Sequence, residues 1–228
     1  MTSTFLQKRF VAPALPTAPS EYDHRRDDQL NQNLRIYFNN LDNYLATISG
    51  PVGGGVLGFP FIEASDSGTQ YATGNDTATI VNWDTTALGN SFTLNVGNTA
   101  TAQVSGVYKI TYSLQFANDA NGIHDAVVWL RVNGSTSAAD VPNSTTNFSV
   151  PARKSAGVPS FVCGYSEVVF ALNAGDEVGL WWGTDLAATS GGGTGVYIYS
   201  EVAQTTPMAY PATPSAIGSI TFVSALTT

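Results

Sequence analysis

The sequence predicts a mostly β protein in which a C-terminal sandwich or barrel follows a helix and an extended arm. After residue 58, apolar residues alternate with a period of two, as in half-buried strands. Charged residues make up only 11% of the chain and glycine occurs 22 times, a composition that suits many tight turns. Between residues 30 and 48, apolar residues recur at heptad spacing, which favours a helix that packs on partner helices.

Residues 1–19 are expected to form an extended arm. Pro13, Pro16 and Pro19 recur every three residues, and each proline fixes its own φ and extends its predecessor. Such a stretch is polyproline-like or irregular. Two interpretations follow equally from this composition: a disordered tail, or a peptide that orders on a larger assembly.

Residues 20–48 are predicted to form a helix and a short coiled coil. Ser20 can cap the helix, and Glu21 and Asp23 complement its dipole. The expected trimerisation contacts form a heptad seam: Leu30, Leu34, Tyr37, Leu41, Tyr44 and Ile48. Because fewer than three full heptads are present, the alternative is an ordinary amphipathic helix packed on the C-terminal domain.

Residues 59–228 are predicted to fold as one β domain behind a hinge at residues 49–58. In that hinge Pro51 ends the helix, and three consecutive glycines free the backbone. The strongest strand signal is one apolar face: Tyr108, Ile110, Tyr112, Leu114 and Phe116. Further sets share its period: Phe92, Leu94, Val96; Val128, Leu130, Val132; Val168, Phe170, Leu172; Val178, Leu180, Trp182; Val196, Ile198; Ile220, Phe222, Leu226. A hairpin turn is expected at Asn133-Gly134 and another turn at 173–176, so the set predicts a sandwich or barrel.

Charge and cysteine content exclude several classes of protein. The net charge is −8, and the acidic C-terminal region does not favour nucleic acid or an anionic membrane. A lone cysteine, Cys163, excludes an intrachain disulfide and is expected to be a small core residue. No segment approaches a membrane span, and the start has no signal-peptide pattern. The protein is therefore expected to be made in a cytoplasm and not secreted.

Three segments between residues 82 and 182 resemble a known family of trimeric jelly rolls. SGVY at 105–108, VWLRVNG at 128–134 and VVFALNAGDEVGL at 168–180 are similar to tumour necrosis factor and the globular head of the first complement component. The resemblance covers somewhat under half the chain. It implies an antiparallel jelly-roll β-sandwich and a compact homotrimer with aromatic residues along its axis. The departures are a longer connection at 135–159 and a proline-rich segment at 206–214.

Aromatic residues outside the predicted core sets independently favour a trimer. Tyr197, Tyr199, Trp129 and Trp181 lie out of step with the core positions. Outward aromatics on several strands form a large apolar surface unless a partner covers it. We expect threefold association to bury this surface, with Tyr197 and Tyr199 as contacts between chains. The alternative is that both sheets bury these residues within one chain.

The segment PSEYDHRRDDQLNQNLRIYFNNLDNYL is similar to the start of many tailed-bacteriophage structural proteins that carry variable C-terminal heads. This resemblance implies a virion location, with residues 1–48 docked on other tail or capsid proteins. The expected function is a tail fibre for host attachment. The alternatives are a head fibre or capsid-decoration protein, and a free glycan-binding module.

The sequence offers little for catalysis, so no enzyme, cofactor or metal is expected. His124 lies beside Asp125, but no G-x-S-x-G nucleophile elbow occurs. The segment 119–125 resembles part of a calcium loop but lacks the late acid, because Leu130 occupies that position. A polysaccharide hydrolase, the enzymatic alternative, would need a carboxylate pair that no spacing indicates.

Three segments are candidate receptor loops: 118–125, 135–159 and 185–195. Three copies of each loop in a trimer would add avidity to weak contacts with a host glycan or protein. The alternative for each is a solvent-exposed connection with no ligand. The candidate residues are Asn118, Asp119, Asn121, His124, Asp125, Arg153, Lys154, Asp185 and Thr194.

Overall fold

The computed structural model divides the chain into two compact units, Met1–Phe59 and Pro60–Thr228. The described residues are 24–49, 58–190, 193–206 and 208–226. The predicted arm, the Ser20 cap with Glu21 and Asp23, and residues 50–57 of the predicted hinge lie outside them. In the first unit the described part is one helix, α1 (His24–Ser49).

The predicted seam lies along one side of α1. Leu30, Leu34, Tyr37, Leu41 and Tyr44 are each half-buried. Elsewhere on the helix the large apolar side chains are about half exposed: Ile36 at 52%, Phe38 at 54% and Leu45 at 50%. Ile48 lies within the last turn of α1. A coiled coil needs further chains, so the association of this seam stays a prediction.

The second unit is built from antiparallel strands. Their bounds are β1 (Phe61–Asp66), β2 (Thr79–Ile80), β3 (Thr85–Asn90), β4 (Phe92–Leu94), β5 (Ala100–Ala102), β6 (Gly106–Asn118), β7 (His124–Val132), β8 (Thr146–Val150), β9 (Ser160–Leu172), β10 (Glu177–Thr184), β11 (Val196–Ile198) and β12 (Ala216–Ser224). A short 3₁₀ helix, Ser137–Ala139, follows β7. The predicted mostly β character is thereby confirmed.

These strands form two sheets. The first has the order β9-β6-β12-β1-β3, and β11 continues the line of β12 along the same edge of β6. The second has the order β8-β7-β10-β5-β4, and β2 continues the line of β5 along β10. Neighbouring strands within both sheets are antiparallel.

The core lies between the inner faces of the two sheets. The alternation predicted on β6 is confirmed, because Tyr108, Ile110, Tyr112, Leu114 and Phe116 are all buried. From the other sheet, Trp182 lies 6.0 Å and Phe148 5.7 Å from the Phe116 ring, centroid to centroid. Burying such a side chain contributes about 1.5–3 kcal/mol, so this interleaving holds the sandwich together.

Two apolar residues assigned to strands from the sequence are placed elsewhere. β4 ends at Leu94, and Val96 lies fully exposed in the following turn. There the Asn98 amide donates to the Asn95 carbonyl over 3.0 Å, with Asn98 at φ +63°. Asparagine's tolerance of positive φ outweighs the strand propensity of valine. Leu226 lies beyond β12, which ends at Ser224.

The two predicted turns meet each other. β7 pairs with β8 through a connection of residues 133–145, so the expected tight hairpin at Asn133-Gly134 is wrong. Instead Asn133, at φ +58°, donates from its side-chain amide to the Asp176 carboxylate over 2.7 Å. Its side-chain oxygen accepts the Glu177 amide at 2.8 Å. The turn at 173–176 therefore carries the chain from the first sheet to the second and is anchored on Asn133.

Cys163 also departs from expectation. It lies on β9 with its side chain exposed, and its Sγ is 3.2 Å from the Ser113 Oγ on β6. Successive residues of β9 face inward and outward in turn. Because the next residue, Gly164, is buried, the Cys163 thiol lies on the outer face. The prediction of a core cysteine is wrong.

Gly164→Ala is expected to destabilise the fold by about 1–3 kcal/mol, the usual cost of overpacking a core. Its new Cβ would lie 2.7 Å from Cε2 of the buried Phe116 ring. Gly97→Ala is the matched control, because no atom lies within 4 Å of its added Cβ. Urea denaturation checks this: equal midpoints for the two variants would show that the packing at Gly164 is looser than described.

Candidate functional site

The outer face of the first sheet exposes large apolar side chains, and we call this set the apolar face. On β9, Phe161 is 46%, Tyr165 58% and Val169 56% exposed. The remaining members, on β1 and β12, are Phe61 at 36%, Ile217 at 41% and Val223 at 55%. Large exposed apolar side chains collected on one face of a sheet favour association with a partner.

The strand register brings these residues into rows across the sheet. Ser113 on β6 pairs with Tyr165 on one side and with Ile217 on the other. Ala117 pairs in the same way with Phe161 and Tyr197. Since directly paired residues point to the same face, each small β6 side chain is flanked by two large apolar ones.

The predicted contacts Tyr197 and Tyr199 belong to an aromatic cluster at one end of the apolar face. The Tyr199 ring lies 5.1 Å from that of Phe161, and the Tyr197 ring stacks on Tyr71 at 5.7 Å. Burial raises the pKa of both hydroxyls, Tyr197 and Tyr199. These rings cover Ala117, which has no exposed surface.

A polar row crosses the middle of the same face. The Thr111 and Ser219 hydroxyls share a hydrogen bond of 2.6 Å. Beside them, Lys109 Nζ lies 3.7 Å from the Glu167 carboxylate. An exposed ion pair of this kind contributes little stability, but with Glu63, which pairs with Ser219 in the same row, it places charges among the apolar side chains of this face.

The two tryptophans predicted to need a partner chain are half-buried by contacts within the chain itself. Trp129 and Trp181 pair in register on the outer face of the second sheet. The Arg131 guanidinium lies 4.4 Å from the Trp181 ring centroid and 5.4 Å from that of Trp129. Asp140 accepts hydrogen bonds from Arg131 Nε at 2.6 Å and from Trp129 Nε1 at 2.8 Å. We call these four residues the Arg131 cluster.

The Arg131 cluster explains why the long connection after β7 is ordered. Arg131 is only 6% exposed and also donates to the Ser135 carbonyl over 2.6 Å. Its hydrogen bond to Asp140 holds the pKa of that carboxyl below its usual range, assisted by the Trp129 indole. A buried guanidinium needs such partners. Because Ser135 and Asp140 supply them, the charge of Arg131 holds the connection after β7 against the sheet.

One end of the sandwich carries residues 118–125, residues 151–159 and the described part of 185–195. Residues 135–145 of the candidate loop 135–159 instead follow the opposite end of β7 and are separated from 151–159 by β8. Asn118 is fully buried, and its Nδ2 donates to the carbonyls of Gly122 at 2.9 Å and Pro151 at 3.0 Å. Its Oδ1 accepts the Ala120 amide at 2.8 Å. Asn118 therefore organises the loops from inside and presents no polar group to a receptor.

Other candidates link neighbouring loops. Asp119 accepts the Gly195 amide at 2.6 Å, and the Arg153 amide donates to Ala120 over 2.9 Å. His124 Nδ1 lies 3.0 Å from the Asp185 carboxylate. Burial raises the pKa of the Asp185 carboxyl, but hydrogen bonds from His124 and from the Asp125 amide lower it more, so its net direction is downward.

The remaining candidates are available at the surface. Asn121, Asp125, Lys154 and Thr194 are exposed. Lys154 Nζ lies 5.3 Å from the Phe161 ring centroid, which connects this loop end to the apolar face. Among the described residues, no group of three or more His, Cys, Asp or Glu side chains is arranged to hold a metal ion.

Sequence reasoning missed most of the apolar face. Phe161, Tyr165 and Val169 alternate with inward-facing apolar residues, so β9 is apolar on both sides. A strand without a polar face is itself a signal, because a sandwich strand covered on one side only shows a hydrophobic-in, polar-out pattern.

Asp140→Asn is expected to lower the urea midpoint at pH 7, because Arg131 loses its ionic partner. The pKa of Asp140 is depressed in the folded state, so its stabilisation is present above the unfolded value of 3.8 and is lost as the pH falls below it. The difference in urea midpoint between wild type and variant should therefore become smaller below pH 3.8. Asp42→Asn, on the exposed side of α1, is the control. A difference in urea midpoint that does not change with pH would contradict a stabilising role for the ionised Asp140 carboxylate.

Comparison with protein-family models finds no family that matches the chain. Comparison with curated proteins finds no match either. No helix in the part of the chain that the structure describes is long and apolar enough to cross a lipid bilayer. The described chain is mostly β, with two antiparallel sheets and one α-helix, and its first sheet bears the apolar face.

Proposed function

We propose that this protein is a non-enzymatic structural fibre protein of a tailed-phage virion. Residues 1–48 attach it to other virion proteins, and a trimeric jelly-roll head projects for attachment to the host, as in a tail fibre. The observation that carries the proposal is the apolar face, because a surface of this kind needs a partner and further copies of the chain supply one.

The strand pairing supports a jelly roll. A jelly roll is a long hairpin rolled up, so its strands pair in nested fashion from the outermost to the innermost. Here β1 pairs with β12, β5 with β10, β6 with β9 and β7 with β8. These nested pairs alternate between the first and second sheets.

Two further observations favour association through the apolar face. β9 is an edge strand of 13 residues, and β6 is its sole partner strand among the described elements. Soluble proteins cover or charge such long edges, yet along the outer face of β9 the charged residue is Glu167. The seam of α1 is a second apolar stripe on the same chain, and threefold assembly covers both.

The loop end supports an attachment role. Asn121, Asp125, Lys154 and Thr194 are exposed on loops whose backbones are tied together. Three copies on one head multiply weak contacts into useful avidity. A rigid scaffold carrying exposed polar loops is the usual arrangement of a binding protein.

Tyr165→Asp is expected to raise the dissociation constant of the trimer by at least tenfold, because it places a charge in the apolar face. Sedimentation of the full chain measures the mass, and circular dichroism checks the fold. Val96→Asp is the control, since Val96 is even more exposed than Tyr165 but lies in the turn after β4. A wild-type chain that sediments as one folded subunit at high concentration would end the proposal.

Tyr37→Asp tests the helix seam separately in the same assay. If this substitution alone yields monomers while Tyr165→Asp does not, the helix holds the assembly and the apolar face has another partner. If both variants lower the mass, the two surfaces act together.

Gold-labelled antibodies against the protein, viewed on phage particles that carry the chain, test its virion position. Labelling of the tail supports the tail fibre. Labelling of the capsid supports the head-fibre or decoration alternative, and absence of label from intact particles supports the free glycan-binding module.

A further inference from the structure

We infer that a cleft on the outer face of the second sheet binds a neutral saccharide. This cleft deepens the proposed attachment function by naming a ligand class, and it lies within a single chain. Its volume is about 300 Å³, at the lower end of the range for small-ligand sites. The lining residues that carry the inference are Asp76, Asp125, Trp129, Asn147, Gly183 and Asp185.

An immobilised indole forms one wall. Trp129 is fixed by its Nε1 hydrogen bond to Asp140 at 2.8 Å and by the Arg131 guanidinium over its ring. Gly183 has no side chain, and a Cβ there would lie 3.8 Å from Trp129 Cη2. A rigid aromatic surface beside a residue without a side chain suits the C–H face of a pyranose ring, because ordering such a surface costs no further entropy on binding.

Polar groups around the indole are positioned for sugar hydroxyls. The Ser149 hydroxyl donates to Asp125 Oδ1 at 2.6 Å, which orients that carboxylate. The Asp125 amide and the His124 ring hold Asp185 in the same way, at 3.1 and 3.0 Å. Carboxylates accept hydrogen bonds strongly from hydroxyls.

Two further polar side chains are free to bind. Asn147 and Asp76 are exposed, and neither side chain makes a hydrogen bond with another described residue. The asparagine amide supplies both donors and an acceptor. The Asp76 backbone is held by its amide, which donates to the Thr184 carbonyl over 2.8 Å.

The charge of the cleft selects the kind of saccharide. Three carboxylates line it, and its lining contains no lysine or arginine. Sialylated, sulfated or phosphorylated sugars would be repelled, since like charges are costly in a partly enclosed site. Neutral hexoses and N-acetylhexosamines with adjacent hydroxyls fit both the charge and the hydrogen-bonding groups.

The test is an array of neutral, sialylated and sulfated oligosaccharides probed with the full-length protein, followed by titration of the strongest neutral saccharide. Asn147→Ala and Asp76→Asn are expected to weaken its binding at least tenfold. Asp76 has φ +53°, which asparagine tolerates. Gln103→Ala, an exposed amide outside both the cleft and the candidate receptor loops, is the control and should bind as wild type does.

Three outcomes would overturn the inference: no neutral saccharide bound by the folded protein, preference for anionic saccharides, or equal binding by all three variants. A fourth outcome concerns host cells. If protease treatment of the cells abolishes binding of the protein and saccharides do not inhibit it, attachment is to a protein, and the saccharide inference is overturned. The mass of the same sample separates the two proposals. A monomer that binds saccharide would contradict the fibre proposal and support the saccharide site. A trimer that binds no saccharide would contradict the saccharide site alone.

Discussion

The C-terminal unit depends on the pairing of β6 with β9 along their whole length. Thirteen residues of each strand are in register, from Gly106 opposite Leu172 to Asn118 opposite Ser160. The inner side of this ribbon supplies the central aromatic residues of the core. Its outer side supplies half of the apolar face. One ladder therefore determines both the stability of the sandwich and the surface it offers to other chains, because a shift by one residue would exchange the two sides.

The second sheet is organised by a different constraint, which is a buried charge. Arg131 is nearly inaccessible, so its guanidinium has to be matched by Asp140, by the Ser135 carbonyl and by two indole rings. These contacts fasten a long connection and hold Trp129 still. The polar side of the molecule is thus rigid where the cleft lies, and a preorganised site loses less entropy on binding.

Period-two alternation on β6 predicts the buried face correctly because one side of that strand is polar and the other is not. On β9 the same rule correctly places Val168, Phe170 and Leu172 on the inner face, but it does not reveal that Phe161, Tyr165 and Val169 make the outer face apolar as well. It fails at Val96 because the neighbouring asparagines favour a turn. The covering of Trp129 and Trp181 by Arg131 depends on register between β7 and β10, strands that lie far apart in the chain. The cleft joins residues from four separate segments, so no local pattern reveals it.

Asn118 has a consequence for how this surface can vary. Its side chain bonds to main-chain atoms alone, namely the carbonyls of Gly122, Val150 and Pro151 and the amide of Ala120. Main-chain groups are present whatever residue occupies a position. Exposed side chains that make no contact between loops, such as those of Asn121 and Thr194, can therefore be exchanged while the hydrogen bonds of Asn118 remain. For the proposed attachment role, this separation would let the binding surface vary without loss of the loop framework.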